Sequence, residues 1–584
     1  MSVQSIWETA ARRRTKQPQH LFTQLELERI APTRDERLFL VLSIFIGILS
    51  GLLVVSFRIA IEWIKTLTLG SAPHAGQFRL ILVPAVAGLV VAALVQLFFP
   101  AARGSGVNQT KAALYIYNGF ISFKTVIGKF VTAAIAIGGG HSLGPEDPSL
   151  QIGAGVASMV ARRLNLSRQR LRLFAPIGAA AGLAAAFNAP ISAILFVIEE
   201  VIGQWSAAVL GSIVLSAISS VVVARWFWGS EPIFRIPPVT LRDPRELIAY
   251  AVLGVVGGFA ALLFSKALGY LRPRLRSLPH WTHYWQSGFA GAMVGFLGFL
   301  GFSQVMGPGY EVIDQAMHGQ FAWKLLLALA LLKILATTLS FSSGTPGGMF
   351  APTLFIGAML GASVGSFEKL FFPHLTGTIG AYALVGMGVL FAGFLRAPLT
   401  SVFMVLEVSG NYSIIVPVIL ANMIAYLMSR AIQPVPIFEV FTHQDGLELP
   451  SMEEAREESE LHLEDALRPV SVPVVKGRET IADVAQTVST AQISSFLVLL
   501  WDGSWYAMTV NELTSASATS TPETPIERVL PAERTPTLFP DMPLDSAFHY
   551  FPRWPLLPIM NRASKGALEG IVTQDDVLHC YHQH

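Results

Sequence analysis

Gly144-Pro145-Glu146-Asp147-Pro148-Ser149-Leu150-Gln151-Ile152-Gly153-Ala154 returns as Gly348-Met349-Phe350-Ala351-Pro352-Thr353-Leu354-Phe355-Ile356-Gly357-Ala358, an offset of 204 (348 less 144). Both copies lie in apolar stretches, and upstream Lys129 and Lys333 keep the same spacing. Downstream a small gap moves the offset to 208 (386 less 178). Gly178-Ala179-Ala180 through Phe187-Asn188-Ala189-Pro190 to Glu199 then answers Gly386-Met387-Gly388 through Leu395-Arg396-Ala397-Pro398 to Glu407. Three blocks in one order read as a duplication. Duplicated apolar halves interrupted by Gly and Pro point to a transporter with its site between the halves, near the bilayer midplane.

Composition agrees. Of 584 residues, 52% are hydrophobic and 14% charged, against the roughly 25% charge of soluble domains. Apolar runs recur from about Leu38 to about Met428, many long enough to cross a hydrocarbon core of about 30 Å. Three segments read as short and broken by Gly and Pro: Val126 to Ile137, Gln151 to Val160 and Gly348 to Leu360. Irregular backbone at membrane depth survives only where protein or a wet cavity surrounds it. Ahead of the first run stand Arg12, Arg13, Arg14, Lys16, Arg29, Arg34 and Arg37. This basic head, residues 1–37, predicts a cytoplasmic N-terminus, and the run comes too late for a cleavable signal peptide. A net charge of +2 says little about nucleic acid, and the basic head reads as an orientation signal rather than a binding arm, so no nucleic-acid partner is expected. Cys580 is the only cysteine, which excludes an intrachain disulfide, a cysteine-based zinc site and dithiol chemistry.

The character changes after Thr442. A polar linker, residues 443–468, contains Glu453-Glu454-Ala455-Arg456-Glu457-Glu458. Beyond it, Val470 to Val475 and Ser495 to Leu500 read as strands around an amphipathic helix, Ile481 to Thr490. This is a soluble α/β unit, 469–515. A second unit, 522–584, repeats the order: a helix near Leu544 to Phe551, a strand near Leu556 to Met560, then Gly570-Ile571-Val572-Thr573-Gln574-Asp575-Asp576-Val577.

Where a helix begins inside a membrane, free N–H groups and the positive dipole end offer an anion site without a full cationic charge. Gly104-Ser105-Gly106-Val107-Asn108, Gly144 to Pro148 and Gly348 to Pro352 fit that description, with glycine where backbone must approach closely. Within them Glu146 is an ionisable group at membrane depth, a functional residue by default. Its carboxylate is itself an anion. Ionised, it competes with a bound anion; protonated, it must leave. Lys129 and Lys333, if buried, need a partner or a wet cavity.

Together with the run from Gly178 to Pro190, these segments resemble the CLC family of chloride channels and proton-coupled chloride transporters, and the end of the chain resembles a CBS pair. The resemblance spans essentially the whole chain. It implies an all-α polytopic membrane fold of two inverted repeats, 38–240 and 241–442, with a cytosolic CBS tandem. It also implies a homodimer in the lipid bilayer with one anion pathway per subunit and both termini cytoplasmic. Carried over by motif, Ser105, Gly106, Glu146, Met349, Phe350 and Phe438 form the anion site, and Glu146 is the gate. Glu146 and Glu200 form the proton pathway; in channel members the second position is typically apolar, so Glu200 favours chloride/proton exchange over a passive voltage- or pH-gated channel. Glu199, matched by Glu407, reads as structural. Ser105 favours chloride over nitrate, whose transporters tend to carry Pro there; fluoride stays open as an alternative but lacks a motif. In the CBS pair Thr573 and Asp576 would suit the phosphate and ribose of an adenine nucleotide; the alternative is a tandem that only dimerises and packs. No metal and no other cofactor is expected.

Four positions depart from the family pattern. Pro145 stands for a basic residue and removes an N–H; Asp147 stands for Gly and adds charge; Asn108 stands for Pro; Phe438 stands for a tyrosine and lacks its hydroxyl donor. Two rival classes fare worse. An enzyme finds Gly140-His141-Ser142-Leu143-Gly144, a GxSxG pattern, but in an apolar membrane segment rather than a strand-to-helix turn, and no His-Glu-x-x-His. A CBS-linked cation transporter would want clustered carboxylates, whereas Glu146, Glu199, Glu200 and Glu407 are dispersed.

Overall fold

The computed structural model describes residues 34–70, 76–164, 168–203, 207–234, 243–373, 377–446, 449, 461–491, 493–531, 534–561 and 567–583. The basic residues from Arg12 to Arg29 and half of the 443–468 linker lie outside the described residues. The chain divides into two units, 1–449 and 450–584.

The first unit is helical, and its elements run twice in the same order. The first half holds α1 (Arg34–Thr68), α2 (Arg79–Leu97), α3 (Val107–Tyr115), α4 (Phe123–Gly138), α5 (Glu146–Arg162), α6 (Arg168–Phe187), α7 (Pro190–Phe196) and α8 (Ala207–Trp228). The second holds α9 (Glu246–Arg276), α10 (His283–Leu297), α11 (Tyr310–Met317), α12 (Trp323–Ser342), α13 (Phe350–Phe371), α14 (Ile379–Leu395), α15 (Pro398–Ser409) and α16 (Ile415–Ile432); α17 (Ile437–Gln444) follows alone. Packing repeats with the order: α5 lies on α6 as α13 lies on α14, and α1 on α8 as α9 on α16. Eight helices among the described residues are long and apolar enough to cross a membrane. Their outer faces carry apolar side chains such as Leu82, Val86, Val222 and Phe259, all exposed, as a lipid-facing surface requires.

The three segments expected to be broken are continuous helices: α4, α5 and α13. The interruptions stand before the helices rather than in them, at Gly144-Pro145 and Gly347-Gly348. The glycines inside are packing surfaces. Gly153 faces the backbone of Gly178 and Gly182, and Gly357 faces that of Gly386, with no room for a Cβ. Small residues at such crossings let helix backbones touch, which is how helices associate where lipid offers no hydrophobic drive.

The second unit contains a three-stranded sheet in the order β1 (Val474–Lys476), β2 (Ser495–Leu499), β3 (Trp505–Thr509). β1 and β2 are parallel and joined by α18 (Ile481–Ala491), whereas β2 and β3 form an antiparallel pair leading into α19 (Val510–Thr519). A second sheet pairs β4 (Leu556–Met560) with β5 (Leu568–Thr573), which enters α20 (Gln574–Gln583). Leu538 bridges Ile559 in parallel, as β1 does β2, so the two halves of this region share one order of elements. Two expectations change. The strand expected from Val470 is confined to Val474–Lys476, after Pro473, which lacks a ladder N–H. The helix expected at Leu544 to Phe551 is a 3₁₀ segment, Leu544–His549, bracketed by Pro543 and Pro552; proline disfavours α geometry in the residue before it.

Candidate functional site

The two copies of the opening motif meet. Gly144 N–H donates to the Gly348 carbonyl at 2.8 Å and Gly348 N–H to the Gly144 carbonyl at 2.7 Å. Two equivalent residues that exchange identical bonds are related by a local two-fold axis. The axis sets the first turn of α5 against the first turn of α13. Glu146 Oε2 accepts from the Ala351 N–H at 3.4 Å, and Asp147 Oδ2 accepts from the Met349 N–H at 3.1 Å. Both carboxylates are fully buried, and Glu146 Oε1 and Asp147 Oδ1 have no hydrogen-bond partner. The N–H of Met349, expected to face an anion, thus faces a side chain of the chain's own first half.

Ser105 precedes α3 in a loop turned by Gly104 (φ 78°) and Gly106 (φ 118°), backbone that glycine adopts without steric cost. The Ser105 hydroxyl oxygen accepts from Val107 N–H at 3.3 Å, and Gly106 packs on Gln151 and on the Asp147 carbonyl. Gln151 Oε1 is buried without a partner; its place beside this loop was not legible in the sequence. Lys129 fixes the loop from below, donating to the carbonyls of Ala102 at 2.8 Å and Gly104 at 2.6 Å. Lys333 does the same for Val305 at 3.0 Å and Gly307 at 2.6 Å. Gly307-Pro308-Gly309 is therefore the second copy of Gly104-Ser105-Gly106, a correspondence that the Pro at the centre hides from sequence comparison.

Phe350 and Phe438 enter one aromatic cluster. The Phe350 ring meets Phe196 edge-on at 4.7 Å and lies parallel to Phe187 at 6.0 Å, and Phe438 meets Phe196 at 6.5 Å. Asn108 Nδ2 donates to the Phe438 carbonyl at 2.8 Å and ties α17 to α3. That bond supplies a role for an asparagine at the position where proline was expected, since proline has no donor to give.

Glu199 and Glu200 lie on a π-wound turn, Val197–Ile202, that follows α7. Such turns displace neighbouring side chains from their α-helical directions, and the two glutamates part here. Glu199 accepts from Leu399 N–H at 3.0 Å, Thr400 N–H at 2.8 Å and the Thr400 hydroxyl at 2.5 Å. Glu407 mirrors it on Ile191 N–H at 2.9 Å, Ser192 N–H at 2.7 Å and the Ser192 hydroxyl at 2.5 Å. Glu200 stands apart from the helix-start cluster and forms a buried ion pair with Lys111 of α3. The sequence reading passed over Lys111, although a lysine amid the apolar residues of Ala112 to Leu114 is a signal.

Other expected residues are occupied differently. Ser142 of the GxSxG pattern is buried and shares a hydrogen with Thr337 at 2.9 Å. Thr573 and Asp576 face each other: the Thr573 hydroxyl and N–H donate to Asp576 Oδ2 at 2.7 and 3.0 Å, a capping box at the start of α20, and Arg468 pairs with the other oxygen. Thr509 and Glu512 make the same box on α19.

A family model described as voltage gated chloride channel matches residues 87–430. The H(+)/Cl(-) exchange transporter ClcA of Salmonella arizonae (strain ATCC BAA-731 / CDC346-86 / RSK2980) is 32% identical over 414 residues, 68% of this chain and 87% of that protein. Among solved structures, a slow cyanobacterial Cl-/H+ antiporter aligns with TM-score 0.64 at 24% identity, over 70% of this chain and 97% of its own. A eukaryotic CLC transporter aligns with TM-score 0.59 at 20% identity, over 92% of this chain and 97% of its own. With more than half of its length matched by the family model, and a curated relative at this identity and coverage, the chain belongs to the CLC family of voltage gated chloride channels and exchangers.

Proposed function

We propose that this protein exchanges chloride for protons across a membrane, with Glu146 as the gate. The observation that carries the reading is the seat of the Glu146 carboxylate on the Ala351 N–H of the opposite repeat. The first N–H groups of α13 have no intrahelical acceptor and carry the positive end of its dipole, worth up to about 2 kcal/mol to an anion in a partly buried geometry. A carboxylate and a chloride ion compete for them. Protonation removes the carboxylate's charge, frees the Ala351 N–H, and lets chloride approach the start of α13 at Met349 and Phe350, with the hydroxyl of Ser105 beside Gly106. Release of the proton reverses the exchange of occupants, so each cycle couples the two ions. Phe438 contributes an apolar wall and no donor. Glu200 relays the proton toward the cytoplasm.

The curated relative named as an H(+)/Cl(-) exchange transporter supports the same activity. Protein in chloride-loaded liposomes is expected to move chloride with opposite proton movement, read as a reversal potential that depends on both gradients. Chloride flux that ignores the pH gradient would establish the second reading, a passive voltage- or pH-gated channel. One observation favours that second reading: Glu200 is held in an ion pair with Lys111, whereas a relay must take up and give back a proton. Glu146→Gln separates gating from transport, since it should conduct chloride without proton movement.

Further parts of the reading are proposals. The halves 38–240 and 241–442 are inverted repeats about the Gly144–Gly348 axis, in a homodimer with both termini cytoplasmic. Residues 469–515 and 522–584 form a CBS pair, supported by their shared order of elements and by the 92% coverage of the eukaryotic alignment, more than residues 1–449 alone could supply. An adenine nucleotide would bind at Thr573 and Asp576 only by opening their capping box. A thermal shift with ATP, absent in Asp576→Asn, tests it.

A further inference from the structure

Among the described residues of the membrane unit, four carboxylates receive hydrogen bonds from helix N-termini across the two-fold interface, and they divide sharply. Glu199 and Glu407 each take two N–H groups and a hydroxyl, at 2.5–3.0 Å. Glu146 and Asp147 each accept one N–H hydrogen bond across the interface, at 3.4 and 3.1 Å, and each keeps one buried oxygen with no partner. The first two are built caps. The other two are held by fewer and longer bonds.

We infer that Asp147 is a second tethered anion of the pathway: it holds the Met349 N–H while Glu146 holds the Ala351 N–H, so that chloride reaches the start of α13 only when both carboxylates have left. This rests on the exchange reading and deepens it. The room for two carboxylates is built in, because a Cβ on Gly348 would stand 2.8 Å from the Asp147 carboxyl carbon, and one on Gly144 would strike Glu146. The charged groups acting on the pair come from three elements. Lys129 of α4 acts electrostatically on Asp147, Arg58 of α1 on Glu146, and the two carboxylates of α5 on each other. Lys129 is already committed to the carbonyls of Ala102 and Gly104, so it shares its charge with Asp147 without closing on it. Asp147 is one methylene shorter than Glu146 and covers a different N–H. The two therefore do not substitute for one another.

The test compares wild type, Asp147→Gly and Asp147→Asn as full-length protein, by chloride titration calorimetry at mildly acidic and mildly alkaline pH and by flux in liposomes. Glycine removes the side chain, and asparagine keeps its shape without the charge, so a folded variant is available even if one fails. At alkaline pH both variants should bind chloride about tenfold more tightly than wild type, the weight of one charge-assisted hydrogen bond. Their affinity should also vary less with pH, while exchange persists through Glu146. Monodisperse variants that bind chloride as wild type does at both pH values, with wild-type exchange intact, would overturn the role of Asp147 alone. Wild-type protein that moves no chloride would overturn the exchange reading and this inference with it.

Discussion

The carboxylate of Glu199 holds the first turn of α15, and the carboxylate of Glu407 holds the first turn of α7, so each half of the membrane unit caps a helix of the other. Both bonds cross the same two-fold relationship as the Gly144–Gly348 bridge. The halves are thus joined by equivalent bonds in both directions.

Glu199→Gln and Glu407→Gln should therefore destabilise the protein by similar amounts. Replacing charge-assisted bonds of about 1.5–3 kcal/mol by neutral ones of about 0.5–1.5 kcal/mol predicts a loss of about 1–3 kcal/mol in each. Thermal unfolding in detergent measures it. A large loss in one variant and none in the other would contradict the reciprocal arrangement.

Gly153→Ala and Gly357→Ala should both weaken folding, because the added methyl meets the carbonyls of Gly178 and Gly386 at crossings already in contact. Overpacking of this kind costs about 1–3 kcal/mol. Gly269→Ala, whose Cβ would meet nothing within 4 Å, is the control and should match wild type.

Lys111→Met should be strongly destabilising and the double variant Lys111→Met with Glu200→Leu much less so. Removing one partner of a buried pair leaves a lone charge at about 3–5 kcal/mol, whereas replacing both by apolar side chains is often near neutral. Unfolding midpoints of the three proteins give the comparison. In liposomes Glu200→Gln should lose proton movement and keep chloride flux if Glu200 is the relay.

Phe438→Tyr should strengthen chloride binding by about ten- to a hundredfold, since a hydroxyl donated to an anion contributes about 1.5–3 kcal/mol. Titration calorimetry reads the change. Unaltered affinity in a folded variant would place the end of this ring away from the ion.

Much of this is legible in the sequence. The recurrence of Lys129 as Lys333 and of Glu199 as Glu407 marked paired structural roles, because a side chain kept at equivalent places in both halves serves what both halves share. The departures were legible as departures: Asp147 and Asn108 stood out against the family pattern. Their consequences were not, because each depends on a partner far along the chain: Met349 for Asp147, Phe438 for Asn108. The glycines of α5 and α13 misled the reading, since a glycine that breaks a helix and one that lets two helices touch look the same in one dimension.

Duplication, membrane character and family follow from order and hydropathy, properties that a linear chain carries without reference to its folding. The pairing of residues does not. A two-fold axis brings positions 204 apart into contact, and it sets the one titratable copy of the motif on the N–H groups of the other copy. A π-wound turn sends Glu199 to a helix cap and Glu200 to Lys111, although the two are neighbours in sequence. Direction and proximity belong to the packed backbone, and at this site they separate a carboxylate that caps a helix from one that pairs with a lysine.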